Sequence, residues 1–205
     1  MPNPCLEGLI ARRSIAVKRL GLPGPLPAEL QSIYEAATTA PDHGALLPWR
    51  LIAIGDQARE QLAQRFVEAK RRERSDLSDI EIEREREKAL RPPTLLAFIA
   101  RPTLNHATVP VEEQLASAGA AMQSVLLAAH FLGYGAIILS GSRCADPAVR
   151  ASLRIQEHEY FLGFISIGSI VDEPRFGKRP EVLEIMSQID SLDITPSSEF
   201  VKTPS

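Results

Sequence analysis

Arg12-Arg13-Ser14 places two guanidinium groups and a hydroxyl in three consecutive residues. Such a set can grip a phosphate, because arginine forks match phosphate oxygens in pairs. The same arginines stand at the end of an expected helix, where basic side chains also complement the helix dipole, and spacing alone favours that plainer role. Ala40-Pro41-Asp42-His43, followed by Pro48-Trp49, gathers a carboxylate, an imidazole and the single tryptophan into one loop. A polar loop anchored by proline and tryptophan suits the wall of a planar ligand. The alternative has Asp42 capping a turn and Trp49 packed in the core. Gly133-Tyr134-Gly135 leads through Ile137 to Ser140-Gly141. Glycines closely spaced around a strand let backbone N–H groups approach a ligand, and equally make ordinary turns.

Other chemistries lack their residues. The sequence holds no GxxxxGK[ST], GxGxxG, HExxH or GxSxG pattern. His43, His106, His130 and His158 are scattered without metal-ligand spacing, so a metal centre is disfavoured. His130 falls inside an apolar helix and reads as a satisfied core or interface histidine.

The elements that must position these residues follow from hydrophobic periodicity. Leu6, Leu9 and Ile10 mark a short helix over about 5–12, and the glycines and prolines of Gly21–Pro27 mark a loop. A second helix runs from Ala28 to about Thr39, ended by Pro41. Arg50–Gly55, Thr94–Ala100, Ala136–Leu139 and Tyr160–Ile170 read as strands. Arg71–Lys88 interleaves six basic with seven acidic residues, which predicts a solvated helix or helix pair; a mobile lid or partner surface is the sharper alternative. Val111–Leu132 is the strongest helix, small in its first half and apolar nearly all round in its second. A helix without a polar face is expected to be buried on all sides. Its small residues suit close approach of another helix, in a core or at a subunit seam. Gly133 is placed to stop it, and Asp146-Pro147 to cap a short helix through Leu153.

The 205 residues fit one large domain or two small ones, at ~100–200 residues per domain. Helices alternating with four apolar strands give an α+β or α/β class with helices covering the sheet. A single domain over 1–205 is expected, with a charged helical insertion at about 57–90 and an extended arm at about 171–205. Net charge is -3, which argues against a generic nucleic-acid binder. Cys5 and Cys144 show no disulfide or zinc spacing, and no apolar run reaches the ~20 residues of a membrane span; a cytoplasmic protein is expected.

Taken together, RRS near residue 12, APDH…PW near residue 40, Glu113-Gln114 and Ser117-Ala118-Gly119 opening the long helix, the GYG-A-I strand, Asp146–Arg150 and LGFISIG resemble the FMN-dependent nitroreductase family. The likeness runs from about Leu6 to Ile170 and is greatest to the minimal bacterial members that share RRS and APDH. The resemblance implies an α+β fold with a mixed central sheet flanked by helices, in an intertwined homodimer with flavin sites at its interface. It assigns Arg12 and Ser14 to the FMN phosphate and ribityl chain, with Arg13 close to the flavin. It brings Pro41, Asp42 and His43, with Thr39 beside them, from the opposite subunit. Ile138, Leu139 and Ser140 fall at the edge of the isoalloxazine ring. Arg175, Lys178 and Arg179 become candidates to complete the phosphate site.

The implied activity is ping-pong transfer of hydride from NADPH or NADH to a nitroaromatic or quinone-like acceptor. It requires no side-chain nucleophile, since water can supply protons. A flavin sensor or storage protein is the alternative, as are the dehalogenation and flavin-fragmentation reactions of relatives. Three departures motivate it. Ile138-Leu139 stands where small members carry Trp-Arg, Thr39 where an arginine precedes APDH, and Ala16 where larger members have Lys or Arg. Each removes positive charge, for which Lys18 or Arg19 are the possible substitutes.

Overall fold

The computed structural model describes residues 3–172, 174 and 176–189, in two compact bodies divided after Pro174. The first begins with α1 (Pro4–Ala11), whose N-cap Asn3 accepts from the N–H groups of Cys5 and Leu6. A single 3-10 turn, Val17–Arg19, leads to the two-residue strand β1 (Leu20–Gly21). Then come α2 (Pro27–Ala37) and β2 (Trp49–Ala53). The charged stretch forms a helix pair, α3 (Asp56–Glu73) and α4 (Asp79–Leu90). It is followed by β3 (Thr94–Ala100), the long α5 (Val111–Phe131) and β4 (Gly135–Leu139). Short helices α6 (Ser142–Ala145) and α7 (Pro147–Ser152) precede β5 (Tyr160–Ile170). In α7, Asp146 caps the N-terminus as its pairing with Pro147 predicts.

The strands lie in the order β4-β5-β3-β2, and β1 pairs with the last residues of β5. Every strand pair is antiparallel; the parallel contribution to the expected mixed sheet is one isolated bridge, Ser14 opposite Ala136. β3 is buried on both faces, which explains its unbroken apolar run. Leu96, Phe98 and Ala100 point into a core with α2 and α5, while Leu95, Ala97 and Ile99 point into a second core with α3, α6 and α7.

Gly163 fixes the sheet where it matters for the site. Its φ of 151° lies next to the register shift between β3 and β5, and a Cβ there would meet Leu139 O at 3.0 Å and Ile138 at 2.9 Å. Only glycine lets β5 pass the end of β4 this closely.

The second body, over 176–189, is described by itself. It contains a 3-10 turn at Val182–Glu184, where Glu181 N–H donates to Glu184 Oε1 (2.8 Å).

Candidate functional site

Segment 12–16 is held against β4 by backbone bonds. Arg12 N–H closes α1 on Gly8 O (3.2 Å), Ser14 faces Ala136, and Ile15 N–H donates to Ala136 O (3.0 Å). Arg12 and Arg13 are half-buried and Ser14 is exposed. His130 Nε2 donates to Gly8 O (3.0 Å), tying α1 to the end of α5, so this histidine is a satisfied one. From Ala136, β4 runs four residues to Ser140, about 13 Å at strand rise. RRS and Ile138-Leu139-Ser140 therefore share one sheet edge. Ile138 and Leu139 are half-buried and Ser140 is exposed. Ser140 and Gly141 open onto a cleft of about 820 Å³ that also touches Cys144, Arg150 and Tyr160. Desolvation pushes the Cys144 thiol up to about 11, which makes it a poor nucleophile.

A second cleft of about 520 Å³ starts at Val17 and Lys18, immediately after RRS, and is closed by Lys70, Arg84 and Lys88 together with Glu81, Glu85 and Glu87 of the helix pair. These cations were hidden in the sequence, where alternating charge along a helix reads as a solvated face. Lys18 faces this cleft. Arg19 instead pairs with Asp172 (2.8 Å), so of the two possible substitutes only Lys18 joins the cleft. Glu85 is buried between Lys88 and Arg143, the latter at 3.5 Å.

The loop from Pro41 lies elsewhere. Asp42 Oδ2 accepts from Leu47 N–H (2.7 Å), and His43 Nδ1 meets Glu113 Oε1 (2.8 Å) on the first turn of α5. Thr39 Oγ1–H donates to Ala36 O (2.8 Å), finishing α2. Trp49 is 4% exposed within the α2–α5 core and opposite Ala100, so it is no ligand wall; the packing alternative holds. Along α5, Glu113 and His130 are seventeen residues apart, about 26 Å. One chain thus anchors RRS and the His43 loop at opposite ends of its longest helix.

The expected full burial of α5 is corrected in this chain. Ala118, Ala121, Val125 and Ala129 are buried, but Ala116, Gln123 and Phe131 are exposed. The helix buries one face against the sheet and α2, and leaves those positions of its opposite face exposed. Lys178 pairs with Glu181 (2.6 Å) in the separate second body, Arg179 also has an interaction partner, and Arg175 lies outside the described residues. Among the described residues no group of three or more His, Cys, Asp or Glu is placed to hold a metal ion, and no helix is long and apolar enough to cross a membrane.

The geometry suits a flat, phosphate-bearing ligand. A paired-arginine segment lies against β4, one cleft opens at the end of that strand and another directly after RRS, and both fall in the ~300–1,000 Å³ range of small-molecule sites. Comparison with known proteins agrees. The profile of the Nitroreductase family matches residues 10–169. The Escherichia coli K12 protein named "Putative NAD(P)H nitroreductase YdjA" is 34% identical over 80% of this chain and 87% of its own length. A Haemophilus influenzae protein named "Putative NAD(P)H nitroreductase" is 30% identical over 74% of this chain and 82% of its own. Among solved structures, a nitroreductase-like protein from Bacillus cereus superposes with a TM-score of 0.75 at 20% identity, covering 93% of this chain and 98% of its own. A Bacteroides fragilis nitroreductase solved with bound FMN gives 0.68 at 22% identity, covering 92% and 100%. Motif order, sheet topology and these matches together place the chain in the nitroreductase family.

Proposed function

We propose that the protein is an FMN-dependent NAD(P)H oxidoreductase that reduces nitroaromatic or quinone-like acceptors and works as a homodimer in the cytoplasm. The observation that carries this reading is the seating of Ser14 and Ile15 on Ala136, which aligns RRS with the Ile138–Ser140 edge. Bound FMN supplies the chemistry that no side chain here offers, acceptance of hydride from NADPH or NADH and its delivery to the acceptor. Arg12, Arg13 and Ser14 would hold the phosphate end, and the edge of β4 would orient the ring. Lys18 and Arg84, in the cleft directly after RRS, would be the cations to stand in for the charge missing at Ala16, Thr39 and Ile138-Leu139. Lys178 and Arg179 remain candidates for the phosphate end. Donor and acceptor would use one pocket in turn, hence ping-pong kinetics.

The dimer reading rests on two facts. Glu113, which holds the His43 loop, and His130, which holds α1 just before RRS, are about 26 Å apart along α5, so a shared site would take the loop of a second copy. Leu6, Leu9 and Ile10 of α1 and Phe131 at the end of α5 are all at least half exposed, an apolar surface that a partner would cover. Two unpaired thiols suit a reducing compartment.

The absorbance spectrum of the purified protein with added FMN, followed by NADH and NADPH titration, tests the reading. A bound flavin that is bleached by a nicotinamide and reoxidised by a nitroaromatic is expected. Turnover no faster than free FMN would leave the sensor or storage alternative. Arg12→Ala is expected to weaken FMN binding by ~1.5–3 kcal/mol through loss of a charge-assisted contact, and unchanged affinity overturns the phosphate assignment. Leu9→Lys with Phe131→Lys is expected to give monomers by light scattering that no longer retain FMN; monomers that still do would remove the shared site.

A further inference from the structure

We propose that His43, held by Glu113, is the proton donor to the reducible acceptor, with Glu113 as its positioning residue. The proposal rests on the reading that the His43 loop lines a partner's flavin site. A carboxylate only accepts, so at 2.8 Å from Glu113 Oε1 the His43 Nδ1 must carry the hydrogen. The tautomer is thereby fixed, and Nε2 becomes the nitrogen that faces outward. It has no partner among the described residues, and the His43 side chain is 59% exposed.

The surroundings favour a built device over a stray surface pair. Glu113 stands in the first turn of α5, where the helix dipole stabilises its charge. The loop holding His43 is tied twice more, by Asp42 Oδ2 on Leu47 N–H and by Arg101 N–H on Pro48 O (2.9 Å). Ala45 (φ 50°) and Leu47 (φ 48°) are both non-glycine residues in the left-handed region, a local strain that tertiary contacts must sustain. Asp42, Glu113 and Arg101 are the charged groups packed on this loop. The Asp42 carboxylate is occupied by a backbone donor, which leaves Glu113 as the acid that addresses the ring.

The chemistry balances with one proton. Two-electron reduction of a nitro group takes one hydride and one proton and releases water: RNO₂ + H⁻ + H⁺ gives RNO + H₂O. The hydride comes from the NAD(P)H-reduced flavin of the reading above. The hydride forms an O–H bond on one nitro oxygen, and the proton comes from Nε2–H of imidazolium His43: that N–H bond breaks, a second O–H bond forms on the same oxygen, and the N–O bond breaks as water leaves. The ring stays neutral with Nδ1–H on Glu113 and regains its Nε2 proton from solvent. A quinone oxygen would take the proton in the same way.

The test uses ¹⁵N-histidine-labelled, FMN-loaded protein. Neutral His43 is expected as the Nδ1–H tautomer, reverting to mainly Nε2–H in Glu113→Ala and staying Nδ1–H in Glu113→Gln, whose carbonyl still accepts. In rapid mixing, His43→Ala is expected to slow the reoxidation by a nitroaromatic about ten-fold more than the reduction by NADPH. Glu113→Gln should recover most of the rate lost in Glu113→Ala. An Nε2–H tautomer in the unmodified protein, or equal slowing of the two half-reactions, overturns the proposal. Addition of FMN to the apoprotein separates the two levels. His43 resonances that do not move would overturn the reading of the loop itself, and the proposal with it. A shift on FMN binding combined with wild-type reoxidation in both variants would sink only the proton-donor role.

Discussion

From Leu115 to Leu132, α5 and its cap carry no Asp, Glu, Lys or Arg, whereas nineteen of the thirty-five residues from 56 to 90 are charged. Both stretches cover the same sheet. The neutral layer packs by small side chains, with Ala118, Ala121 and Ala129 fully buried against β3 and β5. The charged layer packs by large ones: Phe66 of α3 meets Phe164 edge-on at 5.0 Å, and Phe161 does so at 4.8 Å. The contrast extends to what each layer leaves outside. Solvated ion pairs finish the outer face of α3 and α4, so that layer needs no further cover. Beyond Glu112 and Glu113 of its first turn nothing comparable finishes α5, whose remaining exposed residues are Ala116, Gln123 and Phe131. One layer ends in ion pairs and the other in uncharged side chains.

The largest effect should come from removing the aromatic contact that supports the charged layer. Phe164→Ala is expected to cost ~3–5 kcal/mol in urea unfolding, because it deletes a buried ring with two edge-on partners. A loss under 1 kcal/mol would mean that α3 does not depend on that core. The neutral layer should break the opposite way, by enlargement. Ala121 has no exposed surface and sits where α5 lies on the sheet, so Ala121→Leu is expected to cost ~1–3 kcal/mol. Tolerance of leucine there would show that small size at this position is not what lets the helix pack.

The same contrast explains what was legible from sequence. β3 and β5 were readable to their end residues because a buried strand announces itself as an apolar run, and α5 because Gly133 stops it with φ at 85°. The two-residue β1 was hidden in an expected loop region, since its existence depends on pairing with β5 some 150 residues away. The bridge from Ser14 to Ala136, which organises the candidate site, is invisible for the same reason. The charge run concealed more than it revealed. Arg59 is 6% exposed and donates to the carbonyls of Ile54, Pro92 and Pro93, pinning α3 to the entry of β3. Periodicity cannot tell such an arginine from its solvated neighbours, and it cannot tell which lysines face a cleft. Trp49 went the other way, a residue beside a polar motif that long-range packing claimed for the core.

The smallest effect concerns acid, and it should separate the layers without unfolding either. Glu81 accepts from Ser78 N–H (3.0 Å) and Ser78 Oγ–H (2.8 Å) and pairs with Arg74, closing a capping box at the start of α4. The backbone bond from Ser78, then its hydroxyl, then Arg74 hold the carboxyl down to about 2, from an ordinary 4.5. A depressed folded value means that the cap's contribution is fully present above the unfolded value and is lost as pH falls from about 4.5 towards 2. Amide shifts of residues 79–83 are therefore expected to drift towards frayed values over that window. Those of Ala121–Ala129, in a helix stretch with no carboxylate to protonate, should stay still. In Glu81→Gln the drift at 79–83 should largely vanish, because a neutral amide still reaches Ser78 but has nothing to titrate. Equal drift in both helices would mean that acid acts on the whole fold, and the two layers would then not be independent in the way their composition implies.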